Sequence, residues 1–142
     1  MDRPQSIVNF ERSYLGAMVV GLLSSAFNWS LIRGQVAATP GASILPSWFM
    51  PVTILVSLAI NLLLWYFAAR KGAVVAKWII VVFFVLSLVG LPGMFSGIMP
   101  MRVVIFAIVS FLLNAIAVWM LFRPDAKAWF AGDRINLKDT FS

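Results

Sequence analysis

The sequence predicts an all-α fold: an integral membrane four-helix bundle running up-down-up-down, with short interfacial helices at both ends. Three observations carry that expectation. First, 62% of the 142 residues are hydrophobic and 11% are charged, with a mean hydropathy of +0.97. A soluble domain has about a quarter charged residues, and one Glu with four Asp cannot solvate so apolar a surface. Second, the charges punctuate the chain at intervals of about 20 residues, the length a helix needs to cross ~30 Å of hydrocarbon at 1.5 Å per residue. Third, Lys and Arg fall unequally on the two sides that such crossings define. The length allows a single membrane domain over residues 1–142.

The N-terminal RPQSIVNFERSYL places Ile7, Phe10 and Tyr14 at i, i+3 and i+7 with polar residues between them. This spacing predicts an amphipathic helix lying on the membrane surface, or docking a cytoplasmic partner. The first span is expected over 13–32, between Arg12 and Arg33. It is long enough to be a retained span, and no small-residue cleavage site follows it. The second runs 48–69 up to Arg70-Lys71, the third 78–97 after Lys77, and the fourth 103–122 between Arg102 and Arg123. None of them contains Asp, Glu, Lys or Arg. The stretch 33–47, with Pro40-Gly41 and Pro46, reads as an irregular loop. Residues 70–77 and 100–102 are short enough to force tight returns, so sequential spans should be neighbours. In the tail, 123–142, Pro124 suits a first helical turn. Ala126, Trp129 and Phe130 share a face, and Gly132 can end the helix. Trp129, Phe130 and Lys127 are thus expected at the membrane surface.

Orientation follows from the basic residues. Arg3, Arg12, Arg70, Lys71, Lys77, Arg123, Lys127, Arg134 and Lys138 lie on one side, against Arg33 and Arg102 on the other. Nine against two puts both termini in the cytoplasm, facing anionic headgroups. The tryptophans agree, with Trp29 and Trp48 at the outer interface and Trp65, Trp78 and Trp119 near the inner one. The cations flank apolar spans and form no patch interleaved with aromatics, so nucleic acid is not an expected partner.

In lipid, small and polar residues mark where helices touch. Ala17, Gly21 and Ser25 form a small-residue stripe on the first span. Gly93 and Gly97 are spaced likewise on the third, where Pro92 predicts a kink. The second and fourth spans align without gaps at an offset of 53, matching Ser57 to Ser110, Asn61 to Asn114 and Arg70 to Arg123. Asn61, Asn114 and Ser24 each stand nine residues from the Arg closing their span, which is ~13 Å deep. Ser87, ten residues past Lys77, lies ~15 Å deep. Ser24, Asn61, Ser87 and Asn114 therefore form a candidate polar layer near mid-bilayer, facing inward because lipid cannot satisfy them. Asn28 can extend it outward. Such a layer serves either as hydrogen-bonding glue or as a midplane binding site.

Several chemistries lack their groups. Without cysteine or histidine there is no thiol couple, no ordinary haem ligation and no common metal site, so no cofactor is expected. Without an intramembrane carboxylate there is no proton carrier of the small-exporter type. The glycine-rich Asn motif of four-helix fluoride channels is not found. The opening RPQSIVNFERSYLG and the closing LFRPDAKAWFAG resemble the two ends of uncharacterised four-span membrane proteins of α-proteobacteria. That resemblance implies a bacterial inner-membrane location and no particular activity. The leading expectation is a non-enzymatic scaffold or accessory subunit acting through helix association, as a homo-oligomer or in a larger complex. The alternatives are an oligomeric channel or facilitator for a small neutral or anionic solute, and an immunity-type protein that blocks a membrane-active toxin.

Overall fold

A computed structural model describes residues 3–41, 44–94 and 99–140. Those residues form six helices: α1 (Gln5–Phe27), α2 (Trp29–Ala37), α3 (Phe49–Lys71), α4 (Val74–Met94), α5 (Met101–Leu121) and α6 (Pro124–Thr140). Helices α3, α4 and α5 are each long and apolar enough to cross a membrane, and α1 with α2 together make a fourth candidate.

The N-terminal amphipathic segment is not a separate surface helix. Pro4 sets extended backbone (φ −56°, ψ 147°), and its carbonyl accepts from the Ile7 and Val8 N–H groups at 3.0 and 3.2 Å. From there α1 runs unbroken into the apolar segment, since no Pro lies between and one Gly costs only about 1 kcal/mol. Ile7, Phe10 and Tyr14 are buried, and Ala17 extends their stripe. The first span is in turn not straight. At Asn28 (φ −108°, ψ 19°) the chain leaves α1, and α2 departs at 70°. Both the backbone N–H and Nδ2 of Asn28 donate to Ser24 O at 2.9 Å. Asn28 thus completes the last bond of α1 while its own backbone leaves helical dihedrals, and the bend falls there.

The α3–α4 return is tighter than expected. Gly72, in the left-handed region at φ 65°, and Ala73 both donate to Phe67 O. Helix α4 resumes at Val74, so Lys77 falls in its first turn. Pro92 sits in the last turn described for α4; the sharp bend of the fold is at Asn28. Pro100 starts α5 by accepting from Val103 N at 2.9 Å. Gly132 does not end α6, which continues to Thr140.

Helix α1 lies along α5 in the most extended contact of the fold; α3 packs on α1 and α4, and α4 on α5. The packed core is confined to one end. Ile7, Phe10, Tyr14, Leu64, Ala68, Ala69, Ala76, Ile80, Ala117, Leu121, Ala126 and Phe130 all cluster where the basic residues gather. We call this the basic end. Toward the other, far end, the same helices expose Leu55, Leu86 and Val89, the last at 77%. Apolar exposure on that scale suits lipid and not water.

Helix α6 closes the basic end. Its Asp125 Oδ2 accepts from the Ser6 N–H at 3.1 Å, and Trp129 Nε1 donates to Ala68 O at 3.4 Å, satisfying one of the last carbonyls of α3. Trp129 and Phe130 are therefore packed on other helices of the chain, while Lys127 is exposed. Ala126 and Phe130 are buried, as expected where apolar side chains can leave solvent.

Candidate functional site

At the far end of the core, α1, α3 and α5 enclose a groove of about 430 Å³. Its α1 wall is the small-residue stripe Ala17, Gly21 and Ser25; its α3 wall includes Thr53, Ser57 and Asn61; α5 contributes Ser110 and Asn114. Tyr14 closes its floor. A second cavity of about 260 Å³, lined by Ile80, Phe83, Phe84 and Ser87, adjoins it through the same Tyr14, Asn61 and Asn114.

The floor is a hydrogen-bonded partition. Tyr14 Oη donates to Asn61 Oδ1 at 2.8 Å, joining α1 to α3. Asn61 Nδ2 donates to Ser57 O at 2.8 Å, and Asn114 Nδ2 to Ser110 O at 2.9 Å. The two Ser-xxx-Asn pairs that align in sequence thus adopt one local geometry and face one groove. Ser87 Oγ donates to Phe84 O at 2.6 Å. Ser25 Oγ donates to Gly21 O at 3.0 Å.

Of the four residues expected at mid-depth, Asn61, Asn114 and Ser87 meet on one cavity and Ser24 does not. Depth along a helix fixes the level and not the face, and one residue turns the direction by about 100°. Ser25 takes the place on the groove, in phase with Ala17 and Gly21. Asn28 is buried but lines neither cavity. Tyr14 belongs to the layer, although its position suggested a surface helix.

The glycines separate two uses of small residues. A Cβ at Gly16 would stand 3.7 Å from Leu113 Cδ1, ordinary contact across the α1–α5 seam. A Cβ at Gly21 would meet nothing within 4 Å, and the same holds at Gly93. Gly21 therefore faces open groove and not a helix of this chain. Gly97 lies outside the described residues.

Charge is concentrated at the basic end. Glu11 accepts from Arg3 at 2.6 Å and from Arg70 at 3.3 Å, tying α1 to the end of α3. Donors of Ser6, the hydroxyl first and the backbone N–H second, hold the Asp125 carboxyl below the usual carboxylate range. Of the two, the N–H is the donor with clear hydrogen-bond geometry; the Ser6 hydroxyl is buried without such a partner. Among the described residues no three acidic side chains converge as they would to hold a metal ion. The groove offers shape, apolar walls and neutral amides and hydroxyls. No family model, no curated protein and no solved structure matches the chain.

Proposed function

We propose that this chain is a non-enzymatic multi-pass membrane protein, a scaffold or accessory subunit whose groove between α1, α3 and α5 seats a transmembrane helix of a partner or of a second copy. The observation that carries this reading is the small-residue stripe that leaves the core at the buried Ala17 and lines the groove through Gly21 and Ser25, with open space at Gly21. Small residues let helix backbones approach closely in lipid, and at Gly21 an added Cβ would meet nothing within 4 Å, so the space beside it is not filled by another described helix of the chain. The exposed apolar faces of α3, α4 and α5 supply the lipid-facing surface. The nine-to-two distribution of basic residues supports an up-down-up-down bundle with both termini cytoplasmic, its basic end on anionic headgroups. The bacterial inner membrane is the location that the resemblance of the chain's two ends implies.

Purification in mild detergent from native membranes at endogenous level tests this. The expected product is a complex larger than one chain, released to monomer by Gly21→Leu, which fills the groove without touching the basic-end core. A wild-type protein running as a lone monomer sinks the proposal.

A second reading is favoured by the partition itself. Two cavities that share Tyr14, Asn61 and Asn114 in their walls suit a gated path for a small neutral or anionic solute. Flux through reconstituted vesicles should then change with Asn61→Leu plus Asn114→Leu. Absent flux, or flux indifferent to the double substitution, disposes of it.

A further inference from the structure

Lys77 is an unusual cation for the basic end. It stands in the first turn of α4, is only 8% exposed, and forms no ion pair among the described residues. Its Nζ lies 4.2 Å from the centre of the Phe122 ring and 5.1 Å from that of Phe130. Trp78 meets Phe122 edge-on at 6.1 Å, completing an aromatic enclosure. Two ring faces attract an ammonium, but they return less than its lost hydration. They also accept none of its three N–H bonds in full.

The two acidic side chains described at this end are engaged elsewhere, Glu11 with Arg3 and Arg70, and Asp125 with Ser6. Instead a second cation faces the same space. Lys77 and Lys127 both line a cavity of about 260 Å³ with Val74, Trp78, Phe130 and Ala131. Two like charges brought onto one small cavity repel unless an anion lies between them. The first turn of α4 adds the positive end of a helix to the same place.

We propose that Lys77 and Lys127 bind one phosphate-bearing anion, the headgroup of an acidic phospholipid, with Trp78 as the wall of the site. A lipid is favoured over free phosphate because the site opens onto lipid-type surface. Trp78 is 54% exposed, and Val82, one turn further along α4, is 52% exposed, which leaves a track for an acyl chain. Only this choice of source rests on the membrane reading above. The anion site does not depend on a partner helix.

The test is the thermal stability of the full-length protein in neutral detergent, titrated with phosphatidylglycerol, phosphatidylcholine or inorganic phosphate. Phosphatidylglycerol should raise the midpoint saturably, and native mass spectrometry should count one tightly held lipid. Lys127→Gln, at an exposed position, should raise the half-saturating concentration about tenfold. Adding Lys77→Met, which fills the aromatic cage with an apolar chain, should abolish the effect. Lys71→Gln, a basic-end charge outside the cavity, should leave it unchanged. Inorganic phosphate acting at the concentration of the lipid would keep the site and assign it to a soluble phosphate. Equal stabilisation by phosphatidylcholine, or equal weakening by Lys71→Gln and Lys127→Gln, would overturn the proposal, because the attraction would then be unspecific. A monomeric protein that still binds the lipid would separate this inference from the scaffold reading.

Discussion

Gly72 joins the transmembrane-length helices to the cap at the basic end, and Gly72→Ala should destabilise the protein by about 1.5–3 kcal/mol. Two costs add. The backbone is left-handed at φ 65°, where an L side chain loses about 1–2 kcal/mol relative to glycine. A Cβ would also lie 3.1 Å from Trp129 O and 3.2 Å from Trp129 Nε1, inside the ~3.5–4.0 Å of ordinary carbon contact. Trp129 must therefore withdraw, and its Nε1 gives up the Ala68 carbonyl at 3.4 Å, worth about 0.5–1 kcal/mol at that length. Reversible unfolding in mixed micelles, followed by helical circular dichroism, measures the loss. The cycle with Trp129→Ala divides it. In that background Gly72→Ala should cost about 1 kcal/mol less, because the ring contact is already gone. A loss below 0.5 kcal/mol, on the order of an ordinary surface substitution, would refute the argument. So would an identical loss in both backgrounds, which would show that the Trp129 ring does not press on Gly72, since the Trp129 carbonyl remains in either.

Three further outcomes are expected. Tyr14→Phe should cost roughly 0.6 kcal/mol in the same unfolding assay, the mean for a cross-helix hydrogen bond in a membrane bundle; no loss would mean that the Tyr14–Asn61 bond does not hold α1 to α3. Gly132→Ala should stabilise by up to about 1 kcal/mol, since Gly132 lies within α6 and an added Cβ meets nothing within 4 Å; destabilisation would show that the helix ends there. The Asp125 carboxyl is held below its usual value, so its contribution to α6 docking is present above the unfolded pKa of about 4 and is lost as pH falls through the lower folded value. Protection of the α6 amides, taken as exchange relative to the intrinsic rate at each pH, should accordingly fall as pH drops below about 5, and Asp125→Asn should remove that dependence; an unchanged pH response in the variant would assign the loosening to another group.

The helical class and the positions of the long helices were legible because lipid-length apolar runs and their flanking charges are written directly into composition. The boundaries shift for a physical reason. Charge marks where hydrocarbon stops, whereas a helix continues while its backbone bonds do, so α4 begins at Val74 and α5 at Met101, each ahead of the apolar run. The stripe of Ile7, Phe10 and Tyr14 announced an apolar face but not its cover, which comes from α3 and from a helix more than a hundred residues away. The bend at Asn28 was hidden because an Asn in an apolar run signals polarity without saying which carbonyl it will bind. Around the groove and the adjoining cavity, depth located Asn61, Asn114 and Ser87 but chose Ser24 over Ser25. The phase of Ala17 and Gly21 already pointed to Ser25, and facing is the more informative signal when several helices share one level.

The distribution of polar bonds explains why only one end is closed. Among the described residues, the side-chain bonds that link different long helices or α6 are Ser6–Asp125, Tyr14–Asn61, Glu11–Arg70 and Ala68–Trp129, and all lie at the basic end or on its floor. Beyond Tyr14, polar side chains bond within their own helix: Ser25 to Gly21, Asn28 to Ser24, Thr53 to Phe49 and Asn114 to Ser110. A side chain already satisfied locally costs little when its helix moves, whereas breaking a cross-helix bond in an apolar medium leaves two groups unpaired. The far ends of α1, α3 and α5 can therefore shift to admit an occupant of the groove without losing a hydrogen bond, while the basic end holds them in register. Such a division, one end fixed by polar links and the other held by apolar contact alone, is what a seat for a partner helix requires. It also predicts where binding should be felt. Hydrogen exchange should slow in the far halves of α1, α3 and α5 when the partner is present and stay unchanged around Leu64, Ala68 and Leu121. Protection confined to the basic end would place the interface elsewhere.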